Sequence, residues 1–128
     1  FVNFAAKLML TGKRASFTSG EQLYDFVHIS DAVKGIMAVE QKGKKNTAYY
    51  IGSNKPRKLK EFISIIRDTI DPSIILYLGE LPYNGRSLSL EEYDISKLTA
   101  DTGYEPKVNF EDGIKTTIEW LRTKTDQI

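Results

Sequence analysis

The chain has 128 residues, of which 41% are hydrophobic and 27% charged, and it carries a net charge of +1. This composition is typical of a globular domain with its own core, and the balanced charge excludes a general electrostatic attraction to nucleic acid or anionic membranes. The absence of cysteine excludes disulfides and thiolate metal sites. Because no apolar run approaches the ~20 residues that span a bilayer, we expect a cytoplasmic protein without membrane association.

The first predicted element is a helix that ends at Thr11-Gly12. No helix start signal precedes it, so we expect the sequence to begin inside a helix and to be a fragment of a longer protein. The apolar residues of this first helix recur at helical spacing: Phe1, Phe4, Ala5, Leu8 and Met9.

Two strands and a second helix follow. Residues 14–18 form the first strand, and the aromatic and β-branched residues of 22–29 favour the second. Asp31 is expected to cap a helix over residues 32–41, because a carboxylate there can accept the free N–H groups of the first turn. The face of this helix predicted to be buried contains Val33, Ile36, Met37 and Glu40.

The second half of the chain predicts two more strands, over residues 47–52 and 74–78, and three helices. The most regular apolar stripe begins at Leu59 and ends before Asp71-Pro72, because the residue before a proline avoids the helical region. A short helix capped by Asp94 ends at Gly103. The last helix begins near Asn109 or Phe110 and buries Ile114, Ile118 and Leu121.

Strands that alternate with helices predict an α/β fold with at least some parallel pairing. We expect a small mixed sheet of four short strands with flanking helices, in a single domain over residues 1–128. Such a sheet is small enough that we expect a partner domain outside this sequence to complete the structure.

His28 is the single histidine of the sequence. A catalytic triad needs a serine and a carboxylate brought near in space, whereas Ser30 and Asp31 are only neighbours along the chain. Metal binding is not expected without further histidines or cysteines. We therefore expect His28 to have a structural, hydrogen-bonding role.

Tyr93 and Lys97 have the Tyr-x-x-x-Lys spacing in which a lysine lowers the pKa of a catalytic tyrosine. Any two helical residues four apart match this spacing. Because Asp94 is the expected helix cap, Tyr93 lies outside the helix and off the required face. We interpret the match as a coincidence and expect no catalytic residue in this chain.

Two lysine clusters, over residues 42–45 and 55–60, are not interleaved with aromatic residues, so solvated surface is favoured over a nucleic-acid site. Binding to nucleic acid through these lysines is the third-ranked alternative.

Arg86 lies in a loop between a strand and a helix, where a guanidinium can hold a phosphate through two parallel hydrogen bonds. An exposed surface arginine is the alternative there.

Several stretches carry a resemblance through their order and spacing over nearly the whole chain. They are residues 20–31 (GEQLYDFVHISD), 50–53 (YIGS), 79–83 (GELPY), 94–98 (DISKL), 102–106 (TGYEP), 110–114 (FEDGI) and 119–121 (EWL). As an ordered set they resemble the C-terminal part of the extended short-chain dehydrogenase/reductases, the NAD-dependent sugar-nucleotide epimerase/dehydratase family.

In that family an N-terminal Rossmann domain binds NAD or NADP and supplies the Tyr-x-x-x-Lys pair, and the C-terminal part binds the nucleoside diphosphate of a sugar nucleotide. The resemblance implies that this chain is the substrate-binding part alone, inactive by itself, with its Rossmann domain and the NAD or NADP outside the sequence. It implies a nucleotide-sugar substrate and is compatible with a homodimer.

The resemblance also implies which residues meet the substrate. The strand around Phe17 would lie beside the base. A second group would face the nucleotide: Gln22, Tyr24 and Phe26. A loop would meet the diphosphate, with Asn84, Arg86 and Ser87.

Two departures leave the substrate open. Tyr24 stands where the family usually has an arginine that binds phosphate, so stacking and one hydrogen bond are kept and the charge is lost. Asn84 stands where the loop arginine is usual, and Arg86 is displaced by two residues. The nucleotide, the sugar and the choice among epimerisation, dehydration and reduction stay open. A non-catalytic nucleotide-binding or assembly protein on the same scaffold is the alternative.

Overall fold

The computed structural model describes residues 1–124, and over this range the helices and strands alternate as an α/β chain. The helices are α1 (Val2–Leu10), α2 (Ile29–Lys42), α3 (Leu59–Ile70), α4 (Ser96–Thr102) and α5 (Phe110–Lys124), with a 3-10 helix at Leu90–Tyr93. The strands are two residues each: β1 (Ala15–Ser16), β2 (Leu23–Tyr24), β3 (Arg57–Lys58) and β4 (Leu76–Tyr77). They form two pairs, β1 with β4 and β2 with β3, where the sequence predicted one sheet.

The chain divides into two compact units. Unit 1 contains Phe1–Gln22, Lys58–Arg86 and Glu111–Ile128, and unit 2 contains Leu23–Arg57 and Ser87–Phe110. Each unit is thus assembled from segments that are distant along the chain, and each has its own set of buried side chains.

Unit 1 is organised around the parallel pair of β1 and β4, in which Ala15 lies opposite Leu76 and Ser16 opposite Tyr77. The predicted parallel pairing is therefore confirmed. Helix α1 packs against α3 and against β1. The buried apolar side chains of this unit are Ala5, Ala6, Met9, Ala15, Phe17, Leu59, Phe62, Ile63, Ile66, Ile114, Ile118 and Leu121.

Helix α3 follows its sequence pattern closely. Leu59 begins the helix, and the backbone N–H of the preceding Lys58 donates to the Glu61 carboxylate at 3.2 Å, which satisfies a donor at the helix start. The helix ends at Ile70, before Asp71-Pro72, as predicted. The predicted burial of three α5 residues, Ile114, Ile118 and Leu121, is also confirmed.

Unit 2 packs α2 against α4. Gly35 of α2 faces the side chains of Ile51 and Tyr104: a Cβ there would lie 2.6 Å from Cγ2 of Ile51, so glycine permits their close approach to the helix. The side chains packed together are Ile95, Leu98 and Tyr104 with Ala38, Val39, Tyr49 and Ile51.

The predicted buried face of α2 is wrong. Asp31, Gly35, Ala38 and Val39 lie on the packed side of the helix, and the apolar residues chosen from the sequence are exposed. Together with Ile29, which the structure adds to the helix, they form an exposed row that we call the apolar stripe: Ile29 (72% exposed), Val33 (47%), Ile36 (61%) and Met37 (52%).

The cap of α2 is also corrected. The helix begins at Ile29, earlier than predicted, and His28 is its N-cap, with Nδ1 accepting a hydrogen bond from the backbone N–H of Ser30 at 3.3 Å. Asp31 lies fully buried in the first turn. Its carboxylate cannot cap the helix because Oδ2 accepts from two backbone N–H groups elsewhere in unit 2, those of Lys107 (2.9 Å) and Val108 (2.8 Å).

Two strand predictions differ from the structure. Residues 47–52 form no strand, and the hydroxyls of Tyr49 and Tyr50 in this segment donate to the carboxylates of Asp101 and Asp25. The strand expected over residues 22–29 is confined to Leu23–Tyr24. Strand β3 was not predicted, since Arg57 and Lys58 have no β-branched or aromatic character.

Tyr93 lies in the 3-10 helix, outside α4, as expected. Helix α4 ends at Thr102 with Gly103 as its C-cap, and its N-cap is Ile95 rather than the predicted Asp94. The Asp94 carboxylate accepts hydrogen bonds from the backbone N–H and the hydroxyl of Ser96, at 2.9 and 2.6 Å. Within residues 1–124, no helix has the length and apolarity needed to cross a membrane.

Candidate functional site

The backbone around Asp25 is fixed by hydrogen bonds within unit 2. The Asp25 carboxylate accepts from the backbone N–H of Ser53 at 2.9 Å, from the Ser53 hydroxyl, and from the Tyr50 hydroxyl at 3.0 Å. Burial, together with the negative charge of Asp25, raises the pKa of Tyr50 well above its ordinary value. Tyr50 therefore stays protonated and remains a donor to Asp25 over the physiological pH range.

A second anchor lies beside Asp25. The Tyr93 hydroxyl donates to the backbone carbonyl of Leu23 at 2.8 Å. Gly52 lies directly against the Asp25 carboxylate. A Cβ at this position would lie 2.2 Å from Oδ2 of Asp25, so a side chain there would displace the carboxylate. Residues 23 and 25 are thus both held by partners within the unit.

Alternation along an extended chain directs residues 24 and 26 to the side opposite residues 23 and 25. The rings of Tyr24 and Phe26 are stacked, with centroids 5.6 Å apart and an interplanar angle of 18°. The ring of Phe110 follows at 6.0 Å from that of Phe26, tilted by 36°. We call these three rings the aromatic stack; all are half-buried. The structure therefore brings together two of the predicted nucleotide-facing residues, Tyr24 and Phe26.

Phe110 was missed as a site residue, because the sequence marks it only as the start of a helix. The partners of Asp25 were missed as well, since Tyr50 and Ser53 lie 25 and 28 residues further along the chain. The one signal that could have pointed to Ser53 is the Gly52-Ser53 turn in a stretch that also carries the family resemblance.

In unit 1, the predicted residues follow the two parallel strands along the chain. Phe17 directly follows β1, and the loop with Asn84 and Arg86 comes after β4. The Phe17 backbone donates to the Tyr77 carbonyl at 2.9 Å and accepts from the Leu81 backbone at 3.1 Å. The carboxyl end of a parallel pair, where Phe17 lies, is the place where α/β proteins commonly bind ligands.

The side chain of Phe17 is buried, and its ring lies 6.0 Å from that of Phe1. Gln22 is buried too, and its Nε2 donates to the Thr18 hydroxyl at 3.0 Å. Both residues lie in unit 1 with side chains engaged in the protein. Their roles toward a substrate stay predictions.

The loop of unit 1 that was predicted to meet a diphosphate is exposed at Asn84 and Arg86. Its turn is closed by the Tyr83 hydroxyl, which donates to the Arg86 backbone carbonyl at 2.8 Å. This bond fixes the backbone from which the guanidinium extends. Ser87 is exposed as well and belongs to unit 2. Phosphate binding by these three residues stays a prediction.

A charged cluster lies beside the parallel strand pair in unit 1. The Arg14 guanidinium lies 3.6 Å from the ring centroid of Tyr77 and pairs with Glu80, which also accepts a hydrogen bond from the Ser16 hydroxyl at 2.6 Å. These bonds, that from Arg14 foremost, hold the pKa of Glu80 below its ordinary value. Glu80 is therefore a paired carboxylate rather than a proton donor near neutral pH.

Neither of the two motifs that suggested catalysis forms a catalytic arrangement. Tyr93 donates to a backbone carbonyl, whereas Nζ of Lys97 lies over the ring of Tyr49, 5.7 Å from its centroid. His28 has the hydrogen-bonding role expected of it, at the start of α2. Among residues 1–124, no group of three His, Cys, Asp or Glu side chains is placed to hold a metal ion.

Comparisons with known proteins agree with this fold. The chain superposes on UDP-glucose 4-epimerase from Thermotoga maritima with a TM-score of 0.83, over 96% of this chain and 39% of that one, at 24% identity. It superposes on dTDP-glucose 4,6-dehydratase from Bacillus anthracis, solved in complex with NAD, with a TM-score of 0.79, over 98% of this chain and 40% of that one, at 22% identity. The fold is thus that of the epimerase and dehydratase enzymes.

The sequence comparisons agree. Residues 2–52 match the NAD dependent epimerase/dehydratase family model. Human dTDP-D-glucose 4,6-dehydratase is 33% identical over 112 residues, which are 81% of this chain and 31% of that protein. The chain spans about a third of the length of the curated relatives that it matches. The resemblance predicted from the sequence is confirmed: the chain is a relative of the NAD-dependent epimerase/dehydratase family.

Proposed function

We propose that this chain is the nucleotide-sugar-binding C-terminal part of an NAD(P)-dependent epimerase, dehydratase or reductase, and that it is inactive on its own. The observation that carries the proposal is the alignment of most of the chain with enzymes named for nucleotide sugars. In such enzymes the cofactor carries the hydride chemistry, and protein groups bind and orient the substrate.

Local geometry supports a binding role in each unit. In unit 1, the exposed Arg86 lies in the segment that follows β4, and the Tyr83 hydrogen bond fixes the backbone of its loop. Unit 2 presents the aromatic stack on a backbone held by Asp25. Planar rings and a guanidinium suit the base and the phosphates of a nucleotide.

The apolar stripe on α2 supports the part of the proposal that concerns a further domain. Four large apolar side chains in a row, each close to half exposed or more, are a surface that proteins normally cover. The chain spans only about a third of its relatives. We propose that the cofactor-binding domain of the longer protein covers the stripe.

The proposal is tested by isothermal titration calorimetry of the full-length protein that contains this sequence, with UDP-glucose and dTDP-glucose. We expect saturable binding of at least one. The absence of binding to both at millimolar concentration would contradict the proposal.

The upstream sequence distinguishes the non-catalytic alternative: an enzyme requires a Gly-rich strand–turn–helix and a Tyr-x-x-x-Lys pair, and a binding protein does not.

Arg86→Ala provides a second test on the same protein. If the guanidinium binds the diphosphate, its removal weakens nucleotide-sugar affinity by about tenfold, the scale of a charge-assisted hydrogen bond. Lys115→Ala on α5 is the matched control, because it also removes one exposed positive charge. An unchanged affinity in Arg86→Ala would exclude Arg86 from the diphosphate site.

A further inference from the structure

We propose that Tyr24 recognises the nucleoside part of the ligand, with its ring stacked on the base and its hydroxyl hydrogen-bonded to it, so that binding depends on the nucleoside more than on the diphosphate. This inference rests on the proposed function, namely that the chain binds a nucleotide. It goes further by assigning a chemical partner to one residue of the aromatic stack.

Tyr24 is the end member of the aromatic stack. Within the part of the chain that the structure describes, its ring contacts one other ring, that of Phe26, while Phe26 lies between Tyr24 and Phe110. The planes of Tyr24 and Phe26 are nearly parallel, at 18°. Aromatic groups prefer such offset stacking, so a planar ligand ring can extend the stack at Tyr24.

The hydroxyl of Tyr24 is the second feature. It forms no hydrogen bond with any residue among 1–124, although the ring is half-buried. The other tyrosines of unit 2 differ, since the hydroxyls of Tyr49, Tyr50, Tyr93 and Tyr104 all donate within the unit. A half-buried tyrosine usually finds a polar partner, and the edge of a nucleobase offers both donors and acceptors.

The backbone that carries Tyr24 is held on both sides. The Leu23 carbonyl accepts from Tyr93, and the Asp25 carboxylate accepts hydrogen bonds from three donor groups, the Tyr50 hydroxyl and the backbone N–H and hydroxyl of Ser53. A fixed backbone positions the ring before the ligand arrives, which lowers the entropic cost of binding. Tyr24 carries no charge, so a phosphate would gain one hydrogen bond from it, whereas a base gains both a ring contact and a hydrogen bond.

The experiment measures the affinity of the full-length protein for uridine, thymidine, UDP, dTDP and inorganic pyrophosphate by calorimetry. We expect a nucleoside to bind within about tenfold of its diphosphate, and pyrophosphate to bind far more weakly. Tyr24→Leu removes the ring, so nucleoside affinity falls by about tenfold or more, the scale of one base–aromatic stack. Tyr24→Phe keeps the ring and loses the hydroxyl, so the nucleoside affinity of this variant falls by only a fewfold.

Tyr49→Phe is the control, because it removes a tyrosine hydroxyl that donates to Asp101 in the same unit. Unfolding temperatures are measured for all variants, and Tyr24→Phe preserves the stack if Tyr24→Leu fails to fold. Tyr24→Arg should lose nucleoside affinity and gain salt-dependent affinity for pyrophosphate.

The outcomes separate the two proposals. Diphosphate binding that Tyr24→Leu and Tyr24→Phe leave unchanged overturns the role of Tyr24 and leaves the proposed function standing. Pyrophosphate binding as strong as that of UDP or dTDP overturns the nucleoside preference. No binding of any nucleotide overturns the proposed function and the inference together.

Discussion

Asp31 is fully buried at the start of α2, and its two carboxylate oxygens have different surroundings. Oδ2 accepts hydrogen bonds from the backbone N–H groups of Lys107 and Val108, whereas Oδ1 has no hydrogen-bond partner among residues 1–124. The segment after α4 is therefore tied to α2 by one side-chain oxygen. Loss of that oxygen leaves two partly buried backbone donors unpaired.

We expect Asp31→Ala to lower the free energy of unfolding by about 2–4 kcal/mol, since each unsatisfied donor costs on the order of 1–3 kcal/mol. Asp31→Asn retains an acceptor oxygen of the same reach and should be less destabilising. Urea denaturation monitored by circular dichroism compares the two variants. Equal destabilisation by both would contradict the hydrogen-bonding role of Oδ2.

Glu21 links two lysines of unit 1. Its carboxylate accepts hydrogen bonds from Nζ of Lys58 at 2.7 Å and from Nζ of Lys60, and these bonds lower the pKa of Glu21 from 4.5 to about 2. Because the pKa is lower in the folded state, the ion pairs stabilise the protein above pH 4.5. This stabilisation is lost as the pH falls toward 2.

Glu21→Gln should therefore lower the Tm at pH 7, by at most about 3 °C because the pairs are exposed. Near pH 2 the variant and the parent protein should have the same Tm. Thermal melts at pH 7, 4 and 2 measure this, and Glu119→Gln on α5 is the matched control. A Tm difference that is equally large at pH 2 and at pH 7 would contradict the ion-pair explanation.

At the scale of single residues, the sequence identified the aromatic side chains of the site better than the groups that hold them. Tyr24 and Phe26 stand two apart in an extended stretch, so their common side was predictable. The partners of Asp25 and Asp31 were not, because each lies 25 or more residues away and periodicity carries no information about such contacts.

At the scale of elements, α2 shows why an apolar pattern can mislead. It has two faces with the same helical spacing. One face carries Ile29, Val33, Ile36 and Met37, and the other carries Asp31, Gly35, Ala38 and Val39. The second face packs because Gly35 permits close approach and Asp31 is paired, whereas hydrophobicity alone selects the first. Helix α3 has a single apolar face, and there the prediction was right.

The start of α2 provides a prediction about His28. Nδ1 accepts from the Ser30 backbone, so His28→Ala removes the cap and should cost about 1 kcal/mol of unfolding free energy. His28→Asn offers a side-chain acceptor of shorter reach and is expected to restore most of the loss. Urea unfolding of both variants measures the change in unfolding free energy. An alanine variant as stable as the parent protein would contradict the capping role.

At the scale of the whole molecule, the apolar stripe should affect how the chain behaves in isolation. If it is normally covered, separate copies should associate through it. Ile36→Lys places a charge in the stripe and should weaken association by about tenfold or more, since one buried isoleucine contributes about 1.5–3 kcal/mol. Sedimentation velocity over a concentration series measures this.

Ile75→Lys is the control for that experiment, because Ile75 is 67% exposed and lies outside the stripe, in unit 1. Association that the two variants weaken equally would point to nonspecific charge repulsion. A parent chain that stays monomeric at all concentrations would contradict exposure of a surface that is normally covered.

The fold class was predictable at this scale and the arrangement of the strands was not. Alternating patterns indicate an α/β chain with parallel pairing, and β1 with β4 confirms it. The strands are only two residues long, too short for composition to mark which pairs form. The β3 strand of Arg57 and Lys58 exists because of its neighbours in space rather than its own residues.

The segmented make-up of unit 1 has a consequence for biosynthesis. Its buried side chains come from the beginning, the middle and the end of the chain, and Ile114, Ile118 and Leu121 are among them. A ribosome releases the chain from its N-terminus, so α1 and β1 emerge roughly a hundred residues before the last helix that completes the unit. The face of unit 1 that receives Ile114, Ile118 and Leu121 must therefore remain uncovered, or be held by a chaperone, until α5 has been synthesised.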